Sequence, residues 1–199
     1  AITHPGAVAV PTSLAVAEGE NRTGKDIITA VVSGYEIMIR LGRAINPSHY
    51  KYWHTSGTCG AFAAAASAGS ILKLDSEKML MSFGIAGTMA SGLQETFGSN
   101  AKPLNIGHAC QSGIISTYLA REGFTGPDDI ICGKKGFINA MSDKSNKENL
   151  TENLGEQFLI STAMYKIYPS CGHTHSPLEA TFNIIKNHDI KSDNIERIN

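Results

Sequence analysis

A chain of 199 residues can bury a substantial core as one domain, or as one domain and part of a second. Its 42% hydrophobic and 18% charged residues are those of a globular protein, and a formal net charge of −1 leaves no electrostatic footprint for nucleic acid or an anionic membrane. Gly, Ser and polar residues interrupt every apolar run before it could span a bilayer, and Cys59, Cys110, Cys132 and Cys171 form no CxxC pair, so they are expected to be reduced, mostly buried thiols of a cytoplasmic protein.

Residues 5–18 carry Val8, Pro11, Leu14, Ala15 and Glu18, a short amphipathic helix with Pro near its start. Thr23 is a natural N-cap for the next helix, in which Ile27, Ile28, Val31, Val32, Tyr35, Ile37, Met38 and Leu41 recur at helical spacing until Asn46-Pro47-Ser48 ends it. Residues 58–73 are rich in Ala and Gly, and small side chains let neighbouring helices approach closely. Leu74-Asp75-Ser76-Glu77 starts another helix, over roughly 76–91, with carboxylates at the positive end of its dipole. A further helix is expected over 105–122, closed by Gly123, and Asp128-Asp129-Ile130-Ile131 reads as the start of a short one. Lys134-Lys135 reads as a solvated turn, residues 142–156 as a polar surface excursion, and residues 158–168 fit no single state.

The character of the chain changes at Lys166-Ile-Tyr-Pro-Ser-Cys-Gly-His-Thr-His175. A cation, a thiol and two imidazoles are broken by Pro169 and Gly172, which favours a loop or junction over a helix interior. Ser176 as N-cap and Pro177 at the first position would open the helix that carries Leu178, Phe182 and Ile185. The chain starts without Met or a signal-peptide core, and it closes on the alternation Ile195-Glu-Arg-Ile198-Asn199, which reads as a strand cut short. Both ends are those expected of a fragment of a longer protein.

Four segments place a base or cation beside Pro or Gly at a helix entrance: His4, His54, Lys102 with His108, and Lys166 with His173 and His175. Helix entrances supply backbone N–H groups, while Lys and His supply charge, so converging entrances would hold a polyanion. A His, or a Lys of lowered pKa, could then move a proton at carbon alpha to a carboxylate. The rival is a metal site. Cys171, His173 and His175 stand at i, i+2 and i+4, on one face if the segment is a strand, but no second short-spaced ligand pair accompanies them. No GxSxG, Walker A, HExxH or GxGxxG after a strand is present.

Several stretches together resemble the MmgE/PrpD family, which includes 2-methylcitrate dehydratase, cis-aconitate decarboxylase and iminodisuccinate epimerase. They are Thr3-His-Pro-Gly-Ala, His54-Thr-Ser-Gly-Thr-Cys-Gly-Ala-Phe, Gly84-Ile-Ala-Gly-Thr-Met-Ala-Ser-Gly-Leu, Lys102-Pro-Leu-Asn-Ile-Gly-His-Ala-Cys, Gly123-Phe-Thr-Gly-Pro and Lys166-Ile-Tyr-Pro-Ser-Cys-Gly-His-Thr-His. The resemblance implies a mainly α architecture: an all-helical domain over 1–165, lacking its first helices, then the start of a smaller α+β lid domain over 166–199. It implies that His4, His54, Lys102 and Lys166 are catalytic; His108, His173 and His175, at the same helix entrances, are then the candidate substrate-binding residues. It further implies a small di- or tricarboxylate substrate, no metal or organic cofactor, and a homodimer, for which exposed Ala/Gly-rich faces would serve. Two departures stand out: an acidic residue that the family carries upstream of His-Pro-Gly has no counterpart, and Asn105 replaces a His common in the Lys-Pro-Leu motif.

The expected activity is dehydration of a 2-methylcitrate-like hydroxy acid. Lys102 and Lys166 would neutralise carboxylates and His54 or His4 would transfer the proton. The alternatives are decarboxylation or epimerisation by the same family, a non-catalytic anion-binding fragment, and a zinc-stabilised helical protein.

Overall fold

The computed structural model describes residues 1–188 and 190–197. They divide into two compact units, Ala1–Ser161 and Thr162–Asn199.

The first unit is built from α1 (Gly6–Gly19), α2 (Gly24–Ile45), α3 (Thr55–Leu72), α4 (Ser76–Met89), α5 (Ala101–Arg121) and the short α6 (Phe137–Met141). No sheet forms among the described residues, where Trp53 and Leu93 make an isolated antiparallel bridge. None of the helices is long and apolar enough to cross a membrane.

Local chemistry sets most boundaries. Thr23 opens α2 with a capping box: its hydroxyl oxygen accepts from Asp26 N at 3.3 Å and its own N–H donates to Asp26 Oδ2 at 2.9 Å. Asp75 opens α4 by accepting from Lys78 N at 2.8 Å. Gly123 follows α5 at φ 91°, a left-handed conformation that glycine adopts without strain. Two starts differ from expectation. Pro11 lies inside α1, not near its start, and the buried stripe of that helix mixes Val8, Ala9, Val16 and Ala17 with Thr12 and Ser13. Helix α5 begins at Ala101, four residues before the expected 105, because Pro103 falls in the first turn, where its missing N–H breaks no helical bond.

Helix α3 is the axis of the unit. Every residue but Ser70 is buried, and it packs against α1, α2, α4 and α5. The approaches are too close for larger side chains. A Cβ on Gly113 would stand 2.7 Å from the Ala61 carbonyl oxygen, and one on Gly57 would stand 2.7 Å from the Ser91 carbonyl oxygen. The Ala/Gly surface of α3 is thus buried inside the unit, in the close helix–helix contacts expected of it, as dispersion contacts at short range. Phe62, Met38, Ile45, Ile138 and Phe137 fill the remaining core.

A polar clamp secures the segment after α6. Arg40, 3% exposed, donates from Nε to Glu36 Oε1 at 2.8 Å and from Nη1 to the Glu152 carbonyl at 2.8 Å. The other Glu36 oxygen accepts from Leu159 N at 2.7 Å. Residues 142–156 are therefore more than the surface excursion expected: although largely exposed, they are fastened to α2. Asp128–Ile131 does not start a helix. Asp129 Oδ1 accepts from Cys132 N at 3.1 Å, which makes a turn, and the helix comes later, at Phe137. Lys134 and Lys135 lie in an exposed turn, as expected.

In the second unit, Lys166–Cys171 is irregular, Gly172–Thr174 is a 3₁₀ turn, and α7 spans His175–His188. The helix begins at His175, so Ser176 and Pro177 sit in its first turn and Ser176 is not the N-cap. Tyr168 organises this unit: its hydroxyl donates to Glu179 Oε2 at 2.6 Å, and its ring meets His175 and Phe182 with centroids at 5.3 and 5.8 Å. Of the strand expected at 195–199, Ile195–Arg197 is irregular, and Ile198 and Asn199 lie outside the described residues.

Candidate active site

The site of the first unit forms where α3, the loop 90–100 and the start of α5 meet. His54 is the N-cap residue of α3, in extended backbone, with its N–H donating to the Gly92 carbonyl at 2.9 Å. Its side chain does not cap the helix. The residue is only 2% exposed, yet among the described residues its Nε2 has no hydrogen-bond partner. Buried polar atoms are almost always satisfied, so an orphaned imidazole nitrogen makes His54 a candidate for contact with a ligand.

Around His54 the predicted cations gather. Phe97 stands edge-on to the imidazole, with centroids 5.1 Å apart and planes at 87°, and the half-buried Lys102 ammonium lies 4.1 Å from the same phenyl centroid. Lys102 makes no salt bridge among the described residues. His4 is held from the other side of the N-cap: its backbone N–H donates to Ser56 Oγ at 3.0 Å and its Nδ1 lies 3.0 Å from the same oxygen. Asn105 Nδ2 approaches His54 Nδ1 at 3.4 Å and donates to Thr96 Oγ1 at 3.0 Å. His108 is exposed, one turn further along α5, with Nδ1 3.3 Å from Ser91 Oγ. Gly57 makes this convergence possible, since a Cβ there would also press on Asn105 Cβ at 3.2 Å.

Electrostatics agree with this arrangement. Burial, followed by the nearby Lys102 and His4, lowers the His54 pKa from 6.5 to about 4. His54 is thus neutral at neutral pH and surrounded by cationic or potentially cationic groups, a setting that favours an anion. His49 offers the contrast. Burial lowers its pKa to about 4 as well, but its Nδ1 donates to the Met141 carbonyl at 2.9 Å and its Nε2 accepts from Thr58 Oγ1 at 2.8 Å. Both nitrogens are satisfied, and His49 is structural.

The two buried imidazoles make folding acid-sensitive. An unfolded His titrates near 6.5, so below that pH the unfolded chain takes up protons that the native state refuses until about pH 4. Stability is unaffected above pH 6.5 and is lost as pH falls toward 4, by about 3 kcal/mol per His at the acid limit. The denaturant midpoint is expected to drop steadily between pH 7 and 4.5, and His49→Gln to remove part of that slope. A flat profile would mean that neither ring is buried in its neutral form.

Lys166, His173 and His175 belong to the second unit, where Lys166 and His173 are exposed and His175 is half-buried against Tyr168. The metal arrangement of this segment is corrected. Gly172–Thr174 is a 3₁₀ turn, so Cys171, His173 and His175 do not line one face of a strand, and no cluster of three metal-binding side chains occurs among the described residues. Cys171 is exposed, and of the four free cysteines Cys59 alone is fully buried, against the expectation of mostly buried thiols. Phe97, Thr96 and Ser91 had no distinguishing signal in the sequence.

The family model of the MmgE/PrpD N-terminal domain matches residues 1–150. A cis-aconitate decarboxylase of Aspergillus terreus is 30% identical over 196 residues, covering 91% of this chain and 40% of that protein. The human cis-aconitate decarboxylase is 30% identical over 141 residues, covering 68% of this chain and 29% of its own length. The chain thus spans about 40% of the Aspergillus relative.

Proposed function

The chain belongs to the MmgE/PrpD family, and on that premise we propose that it carries the helical side of a lyase active site for a small di- or tricarboxylate. The observation that supports this most is the buried, unpartnered Nε2 of His54 beside the Lys102 ammonium. An anionic substrate would supply what both groups lack.

Decarboxylation of a cis-aconitate-like acid is the reaction to assay first, because the similar proteins carry that activity in their names. In it the carboxylate on the CH₂ beside the double bond leaves as CO₂, and its bonding pair becomes a new C=C. The former double-bond pair moves to the carbon alpha to a remaining carboxylate, and that carbon takes a proton. Dehydration of a 2-methylcitrate-like acid, the expectation from sequence, passes through the same charge in reverse: the alpha carbon gives up a proton and hydroxide departs. Lys102 stabilises that charge in either case, and His54 or His4 handles the proton. The assignment of Lys166, His173 and His175 to substrate rests on the sequence pattern and, for Lys166, on the family resemblance. The chemistry calls for no cofactor.

The test uses protein expressed from its complete reading frame, in D₂O, with cis-aconitate, 2-methylcitrate, citrate and iminodisuccinate supplied separately and followed by proton NMR. Turnover of one of them, insensitive to EDTA, is expected. No turnover and no deuterium incorporation with any of the four would overturn the lyase reading in favour of a non-catalytic anion-binding protein.

A further inference from the structure

The hydrogen bonds around Asn105 determine more than its position. Thr96 has a single hydroxyl proton, and its Oγ1 donates that proton to the Leu93 carbonyl at 2.7 Å. With that proton engaged, the same oxygen accepts from Asn105 at 3.0 Å, which turns the amide nitrogen, not the amide oxygen, toward Thr96. A flipped amide would have to draw the Thr96 proton out of its short bond to the Leu93 carbonyl. That fixed nitrogen also faces His54 Nδ1 at 3.4 Å. An amide nitrogen donates and never accepts, so Nδ1 must present its lone pair.

From this geometry we propose that Asn105 is a positioning residue that holds His54 as the Nε2–H tautomer, so that His54 meets substrate as a hydrogen-bond donor to oxygen and not as a base. The proposal rests on the lyase reading for its use, though not for its geometry. The only unpartnered atom of the buried ring is then an N–H, suited to a carboxylate or enolate oxygen. Of the two imidazoles assigned to proton transfer, His4 is left to exchange the proton with carbon. A His at position 105 could present either a donor or an acceptor to Nδ1; an amide anchored by Thr96 presents only a donor. The fixed tautomer is therefore a consequence of Asn at this position.

Long-range proton–nitrogen spectra of ¹⁵N-histidine-labelled protein, without substrate at pH 7.5, test this directly. His54, identified by its loss in His54→Leu, is expected to show a bare Nδ1 and a protonated Nε2, with this form in about tenfold excess. In Asn105→Asp the carboxylate accepts, so the ring should invert to Nδ1–H. In Thr96→Val the anchor is lost and the excess should fall severalfold. A wild-type ring protonated on Nδ1, or a tautomer unchanged in Asn105→Asp, would overturn the proposal. Because substrate is absent, these spectra decide the tautomer even if none of the four acids is turned over. In a protein that does turn over, Asn105→Asp is expected to lower kcat by about 10²–10⁴-fold, as an inverted tautomer does elsewhere, with a smaller change in KM.

Discussion

His54→Leu, in protein expressed from its complete reading frame, is expected to lower turnover by about 10²–10³-fold, the range for loss of one hydrogen-bond donor aimed at developing negative charge. Stability should stay within about 1 kcal/mol of the parent or rise, because a buried polar atom without a partner costs about 1–3 kcal/mol and leucine fills a similar volume without it. The two readouts moving apart is the informative result. A His that mainly held the fold, as His49 does through Met141 and Thr58, would lose stability along with activity. The variant should also lose part of the acid sensitivity, since one of the two neutral buried rings is gone. Lys102→Ala makes the companion case. Its cation–π contact with Phe97 is worth about 0.5–1 kcal/mol at a half-exposed site, whereas a charge aimed at a developing enolate is worth about 3–4 kcal/mol in the transition state. Turnover indifferent to both changes would dismiss the site.

Arg40→Met is expected to destabilise the first unit by about 3–5 kcal/mol, read from urea unfolding at pH 7. The substitution leaves the Glu36 carboxylate buried without its counter-charge, and it frees the carbonyls of Leu150 and Glu152 that Nη1 engages at 3.4 and 2.8 Å. The loss should appear first as proteolytic cleavage within 150–159, while the helices of the unit are still folded. Pairing it with Glu36→Leu should recover part of the loss, since burying one charge alone costs more than burying neither. A change below about 1 kcal/mol in Arg40→Met would mean that the clamp holds nothing.

Much of the helical unit could be read from local chemistry. Thr23 with Asp26, Asp75 before α4 and Gly123 after α5 are signals contained within a few residues, and the structure uses each as its chemistry suggests. The Ala and Gly content of α3 likewise spoke for close packing, though not for which neighbours it meets. What escaped was non-local. Nothing near Glu36 and Arg40 in sequence marks them as buried, because the carbonyls and amide they bind lie more than 100 residues away. His49 and His54 look alike as isolated histidines. The fold separates them: Met141 and Thr58 satisfy both nitrogens of His49, whereas Nε2 of His54 has no partner among the described residues. Lys102 was assigned to the approach before a helix, when Pro103 in fact sits inside the first turn. Phe97, which packs against both His54 and Lys102, belongs to a stretch without periodicity and carried no signal.

The close packing of α3 has a bearing on how such a site could change over time. The floor of the candidate site is α3, which tolerates almost no added atom: Gly57 abuts Ser91 and Asn105, Gly60 abuts Ala109, and Gly113 abuts Ala61. The walls are the exposed or half-exposed residues of 91–105, where an added side-chain atom meets solvent more readily than backbone. New selectivity within this fold can therefore be reached through single changes in that loop, while the floor admits only changes that arrive in compensating pairs.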